Sequence, residues 1–174
     1  MKNVKQIISI TVLAIALFSV VSCKNETKEA GVAHQEVAEA DVKQSSPEFK
    51  DAAVAATFQH YLHLKTALVK TDAVDAKQGA ELIANTTENP EVKALATRIA
   101  LESDIAKQRE QFSDLTTLLK PILVASLASG EIYEQNCPMA LKGGANWFAV
   151  EKQINNPYYG DKMLRCGIVE STLK

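Results

Sequence analysis

Two cysteines and two methionines near the C-terminus carry most of the chemistry this sequence offers. Cys137 and Met139 stand in NCPMA, residues 136–140. Met163 and Cys166 stand in KMLRCG, residues 162–167. Apart from Met1 these are the only methionines of the chain, and each lies within three residues of a different cysteine. Thiolate and thioether sulfurs are soft and polarisable, and together they select Cu(I) or a similar soft ion over hard cations. In an extended strand residues i and i+2 share a face, so Cys137 and Met139 would aim at one point, with Pro138 stiffening the stretch. Met163 and Cys166 share a side if the chain turns or coils there. Trp147 is a candidate to lie over a bound cation, because its ring face carries negative potential. A disulfide explains the cysteines equally well. Closing the segment from Cys137 to Cys166 would stabilise a small domain by roughly 3 to 4 kcal/mol in the chain-entropy model, and methionine is an ordinary gap-filler beside aromatic rings. The two readings exclude each other, since an oxidised pair supplies no thiolate.

The choice depends on compartment, which the N-terminus addresses. Lys2 and Lys5 precede a mostly apolar run, Ile7 to Val21, that stops at Ser22-Cys23. This is the plan of a secretory signal peptide, somewhat short for a membrane span. A small residue followed by cysteine at that point resembles the lipobox of bacterial lipoproteins. Cleavage would leave Cys23 as an acylated N-terminus, carrying chains such as palmitate and holding the protein on a membrane without a spanning helix. The expected location is the cell envelope, facing the periplasm or the cell surface. Cys137 and Cys166 then remain as an even pair in an oxidising setting, where a disulfide is the default candidate.

The elements that must position these sulfurs come in order along the chain. Residues 1–23 form the signal peptide and lipidated cysteine. Residues 24–46 lack aromatic residues, Leu and Ile, and are rich in Glu, Lys, Ala and Ser; such a segment reads as a flexible tether, and His34 within it as solvated. Residues 47–129 read as helices. Ser46-Pro47 looks like a helix start, followed by a stripe of Val54, Phe58, Tyr61, Leu62, Leu68 and Val69. A second helix fits Ala73 to Ala84 with Asp72 as N-cap, and Asn89-Pro90 reads as N-cap and first residue of a third. That helix carries Val92, Leu95, Ala96 and Ile99. A break near Ser103-Asp104 starts a fourth, which Pro121 should kink or loosen. Short connections favour antiparallel neighbours. The expected fold is mainly α: a small up-and-down bundle of three to four helices with a compact, turn-rich C-terminal cap.

The cap, residues 130–174, is expected to pack with the bundle as one domain. It holds Trp147 and three of the four tyrosines, and Gly143-Gly144 and Asn156-Pro157 are turn signals. Short strands are expected at Glu131–Cys137, Asn146–Val150 and Met163–Val169.

Other classes of function find little support. A net charge of −2 argues against a nucleic-acid surface. The sequence contains no G-x-S-x-G, P-loop, dinucleotide fingerprint or H-E-x-x-H, and no enzyme is expected. His60 and His63 are expected to point away from the core as solvated side chains, and Glu102, Asp104, Lys107 and Arg109 to form a solvated helix face.

The run Tyr133, Cys137-Pro138-Met139, Gly144-Ala145, Trp147, Ile154, Asn156-Pro157-Tyr158, Gly160, Met163, Cys166-Gly167 resembles a bacterial family known as domain of unknown function 3347. YLHLKTALVKTD at 61–72 and QREQF at 108–112 share that resemblance, which spans roughly residues 48–170. Similar segments lie at the ends of periplasmic adaptor subunits of heavy-metal efflux pumps. The resemblance implies copper or silver handling outside the inner membrane, with Cys137, Met139, Met163 and Cys166 as ligands and Trp147 nearby. It implies backbone-shaping roles for Gly144, Asn156, Pro157 and Gly160. The leading expectation is therefore a lipid-anchored envelope protein that binds Cu(I) or Ag(I), accessory to heavy-metal efflux or buffering, with no other cofactor. The alternative is a non-enzymatic interaction module stabilised by a Cys137–Cys166 disulfide.

Overall fold

The computed structural model describes residues 46–174. The signal peptide and Cys23 at residues 1–23, and all of the 24–46 tether except Ser46, His34 included, lie outside the described residues. Among the described residues, no helix is long and apolar enough to cross a membrane.

Four helices make the bundle: α1 (Ala52–Val69), α2 (Ala73–Thr86), α3 (Pro90–Leu101) and α4 (Ile105–Ser126). Each begins at an Asp or Asn whose side chain accepts two free amides of the first turn. Asp72, Asn89 and Asp104 cap α2, α3 and α4, as the sequence suggests. The first cap differs. Asp51, not Ser46, opens α1, because Glu48–Phe49 is drawn into a short strand, β1, antiparallel to β2 (Leu127–Ser129). Pro47 suits an extended residue as well as a helix start. Helix α4 continues to Ser126, five residues past Pro121.

The stripes point inward. Phe58, Tyr61, Leu68, Val92, Leu95, Ala96 and Ile99 are all buried. Consecutive helices pack against one another, and α4 returns to α1, where Tyr61 stacks on Phe112 with ring centres 5.0 Å apart. Gly79 allows α2 to approach α1 closely, since a Cβ there would stand 2.9 Å from the backbone nitrogen of Leu64. The solvated-histidine expectation fails for His63: its Nε2 lies 2.7 Å from Asp75 Oδ1 of α2, so it bridges two helices.

The C-terminal part is a three-stranded antiparallel sheet in the order β4-β3-β5. Its strands are β3 (Ile132–Cys137), β4 (Ala145–Ala149) and β5 (Ile168–Leu173). The fold is thus mainly α with a strand-containing C-terminal part. The third strand starts later than the sequence suggests, because Gly160–Met163 forms a 3-10 turn and Cys166-Gly167 the bend after it.

Sheet and bundle are joined by polar chains whose ends are all accounted for. The Phe148 amide donates to the Tyr61 hydroxyl, which donates to Thr116 Oγ1, which donates to the Phe112 carbonyl. Burial pushes the Tyr61 phenol well above its ordinary pKa, so it stays a neutral donor. From the other side, Lys120 of α4 reaches Glu134 of β3 at 2.8 Å. Burial alone would raise the Glu134 carboxyl. The bonds it accepts from Lys120, Asn146 and Ser171 outweigh that and hold it below the usual carboxylate range.

Candidate functional site

The alternation of β3 separates two environments. Glu134 faces α4 through Lys120, while Tyr133, Gln135 and Cys137 lie on the opposite face. The Gln135 amide donates to the carbonyls of Glu151 and Gln153, so that second face is covered by the 150–167 segment. Cys137, at the end of β3, is fully buried. Cys166, at the end of the covering segment, is partly exposed, and its Sγ lies 3.0 Å from Cys137 Sγ. Both are free thiols.

Two tight turns hold the pair. The Ala140 amide donates to the Cys137 carbonyl, and the Cys166 amide donates to the Met163 carbonyl. NCPMA and KMLRCG are therefore β-turns, with cysteine first in one and last in the other. Asn156 fixes the second turn by donating to the Cys166 carbonyl at 2.8 Å, while its Oδ1 accepts the Tyr158 amide. The Tyr159 hydroxyl, just before the 3-10 turn, donates to the Met139 carbonyl and ties the covering segment to the first turn. Next to Cys166, Gly167 has φ 141°, and a Cβ there would stand 2.8 Å from the Asn136 carbonyl and 2.9 Å from Trp147 Cη2.

The structure thus brings the two cysteines together. It leaves Met139 58% exposed and Met163 partly buried in the 3-10 turn. Trp147 is fully buried, walls the site beside Gly167 and meets Tyr158 edge-on at 6.0 Å. Among the described residues, no three or more of His, Cys, Asp and Glu gather in a way that could hold a metal ion. A metal at this site would draw on two thiols, donors that suit a soft ion. The Cys166 thiol is pushed above its ordinary pKa, first by its hydrogen bond with Cys137, then by burial and by the neighbour's charge.

One residue departs from its expected role. Arg109 belongs to no solvated face. Its Nε donates to the Pro157 carbonyl, and its Nη2 to the Leu68 carbonyl and Thr71 Oγ1. This one guanidinium joins three of the stretches that carry the family resemblance: the end of YLHLKTALVKTD, QREQF and the Asn-Pro turn. Gly160 is packed at the same point, where a Cβ would meet Thr71 Oγ1 at 2.4 Å. Replacing Arg109 by methionine is expected to destabilise the chain by about 2 kcal/mol, because charge-assisted bonds to carbonyls are lost in a half-buried place. Urea unfolding measures it. A change under about 0.5 kcal/mol, the range of ordinary surface substitutions, would show that Arg109 does not anchor the covering segment.

Fold and site define a class: a four-helix bundle carrying a small antiparallel sheet, on which a covering segment sets two thiols in contact. Residues 57–129 match the model of the family described as "Protein of unknown function (DUF3347)". Over its bundle the chain is similar to that family. The matched stretch ends with β2, so the sulfur-bearing turns lie beyond it. No curated protein and no solved structure matches the chain.

Proposed function

We propose that this is a non-enzymatic, soft-metal-binding protein of the cell envelope, lipid-anchored through Cys23 and accessory to heavy-metal efflux or buffering. In its reduced form the thiols of Cys137 and Cys166 take Cu(I) or Ag(I) as cargo, with the Met139 and Met163 thioethers as flanking donors. The carrying observation is the 3.0 Å contact between two free thiols delivered by separate turns, each of which also bears a methionine. The exposed Met139, two residues from Cys137, supports an entry route for a soft ion. The signal-like N-terminus and its Ser22-Cys23 support the envelope location.

The same contact favours a second reading. An interaction module clipped by a Cys137–Cys166 disulfide needs only that the sulfurs close from 3.0 Å to about 2.05 Å.

A Cu(I) competition titration against a chromogenic chelator separates them. Reduced wild type is expected to bind one equivalent. The Met139→Leu/Met163→Leu double variant should bind about tenfold more weakly, equivalent to about 1.4 kcal/mol. The Cys137→Ser/Cys166→Ser double variant should not compete. If reduced wild type competes no better than the double serine variant, the metal reading is wrong.

A further inference from the structure

The two thiols stand between two states that need opposite motions. A disulfide needs the sulfurs about 1 Å closer than 3.0 Å. A metal held by two thiolates at about 2.3 Å, as in tetrahedral thiolate sites, needs them about 3.7 Å apart or more. Either state is reached by moving one turn by under about 1 Å, and neither can be occupied with the other. Access to the pair is also unequal. Cys137 is fully buried at the end of the central strand, whereas Cys166 is partly exposed at the end of a turn.

We propose that Cys137 and Cys166 form a reversible dithiol–disulfide couple that closes the metal site when oxidised, with Cys166 as the thiol through which a disulfide-bearing oxidant enters. The consequence for metal rests on the metal-binding reading; the sulfur chemistry does not. The Cys166 thiolate attacks one sulfur of a low-molecular-weight disulfide. That S–S bond breaks, one thiolate leaves and a mixed disulfide forms on Cys166. The Cys137 thiolate then attacks the Cys166 sulfur and expels the second thiolate. The protein loses two protons and two electrons, and the oxidant departs as two thiols.

The test uses the full chain, reduced and metal-free, incubated with oxidised glutathione and read by peptide mass mapping. Wild type is expected to form a Cys137–Cys166 cross-link that dithiothreitol reverses. The Cys137→Ser variant should stop at a glutathione adduct on Cys166. The Cys166→Ser variant should modify Cys137 at least tenfold more slowly. Equal rates in the two variants would overturn Cys166 as the entry thiol, and stable adducts without a cross-link in wild type would overturn the couple. A Cu(I) titration of oxidised and reduced chain completes the design. Equal affinity in both forms overturns the switch and leaves metal binding standing. A reversible cross-link in a chain that never competes for Cu(I) supports the couple and overturns the metal reading.

Discussion

Replacing Gly167 by alanine is expected to destabilise the chain by about 3–5 kcal/mol, the sum of backbone strain and overpacking. Gly167 follows Cys166 with φ 141°, a conformation that L residues avoid. The new methyl would meet the Asn136 carbonyl at 2.8 Å, Trp147 Cη2 at 2.9 Å and Ile154 Cγ2 at 3.3 Å. Two of these neighbours have little room to yield. Asn136 is central-strand backbone, paired with both β4 and β5, and Trp147 is fully buried against Tyr158. The relief must therefore come from the covering segment, which would lift Cys166 away from Cys137. Gly143→Ala provides the internal comparison. Its φ of 109° is also forbidding, but a Cβ there meets nothing within 4 Å, so only strain of about 1–2 kcal/mol is expected. Urea unfolding of both variants measures the difference. Equal losses would mean that contact with Asn136 and Trp147 does not set the position of Cys166.

The contact at Gly167 is one that no sequence pattern displays, and legibility ends there. The helix starts at Asp72, Asn89 and Asp104 are readable because an N-cap is a local event, completed by amides two and three residues ahead. The start at Asp51 is not, because β1 exists only by pairing with β2, nearly eighty residues away. The strands up to Cys137 and around Trp147 are readable from composition and flanking turns. The third is displaced because Met163 to Gly167 is shaped by distant partners: Asn156 holds the Cys166 carbonyl, and the Leu164 carbonyl accepts the Asn156 amide.

The site obeys the same division. Residue types and clustering single out Cys137, Met139, Met163 and Cys166. Only the fold can say that the cysteines touch and that Met139 is exposed. Arg109 escapes a sequence reading because its acceptors are mostly backbone carbonyls in remote loops, and carbonyls carry no sequence signature. A usable signal is present all the same. Arg109, Thr71 and Pro157 each fall within a separate stretch of the family resemblance, and a long donor side chain shared among such stretches suggests a common meeting point. Lys65 is a similar case. It is nearly buried on α1, yet it reaches Glu151 at 2.6 Å and fastens the other end of the covering segment. Burial would raise the Glu151 carboxyl, but Lys65 and Asn155 hold it below its usual value.

Oxidising the cysteine pair is expected to raise the unfolding free energy by about 3.5 kcal/mol, from the chain-entropy cost of a loop closed between residues 29 apart. Native strain should subtract little. The sulfurs already lie 3.0 Å apart, and the Cys166 turn is held by Asn156 and Met163 whether or not the bond forms. Urea transitions of reduced wild type, oxidised wild type and the Cys137→Ser/Cys166→Ser variant measure it. Reduced wild type and the variant should unfold together to within about 1 kcal/mol, with the oxidised chain well above both. If oxidation leaves the midpoint unchanged, the bond strains the fold by as much as it restricts the unfolded chain, and the thiols are not pre-set for closure. A metal ion stabilises by a different route. If the proposed metal reading holds, an ion present at a hundred times its dissociation constant adds about 2.7 kcal/mol to the reduced form. On that reading the reduced, metal-free protein is the least stable of the three states.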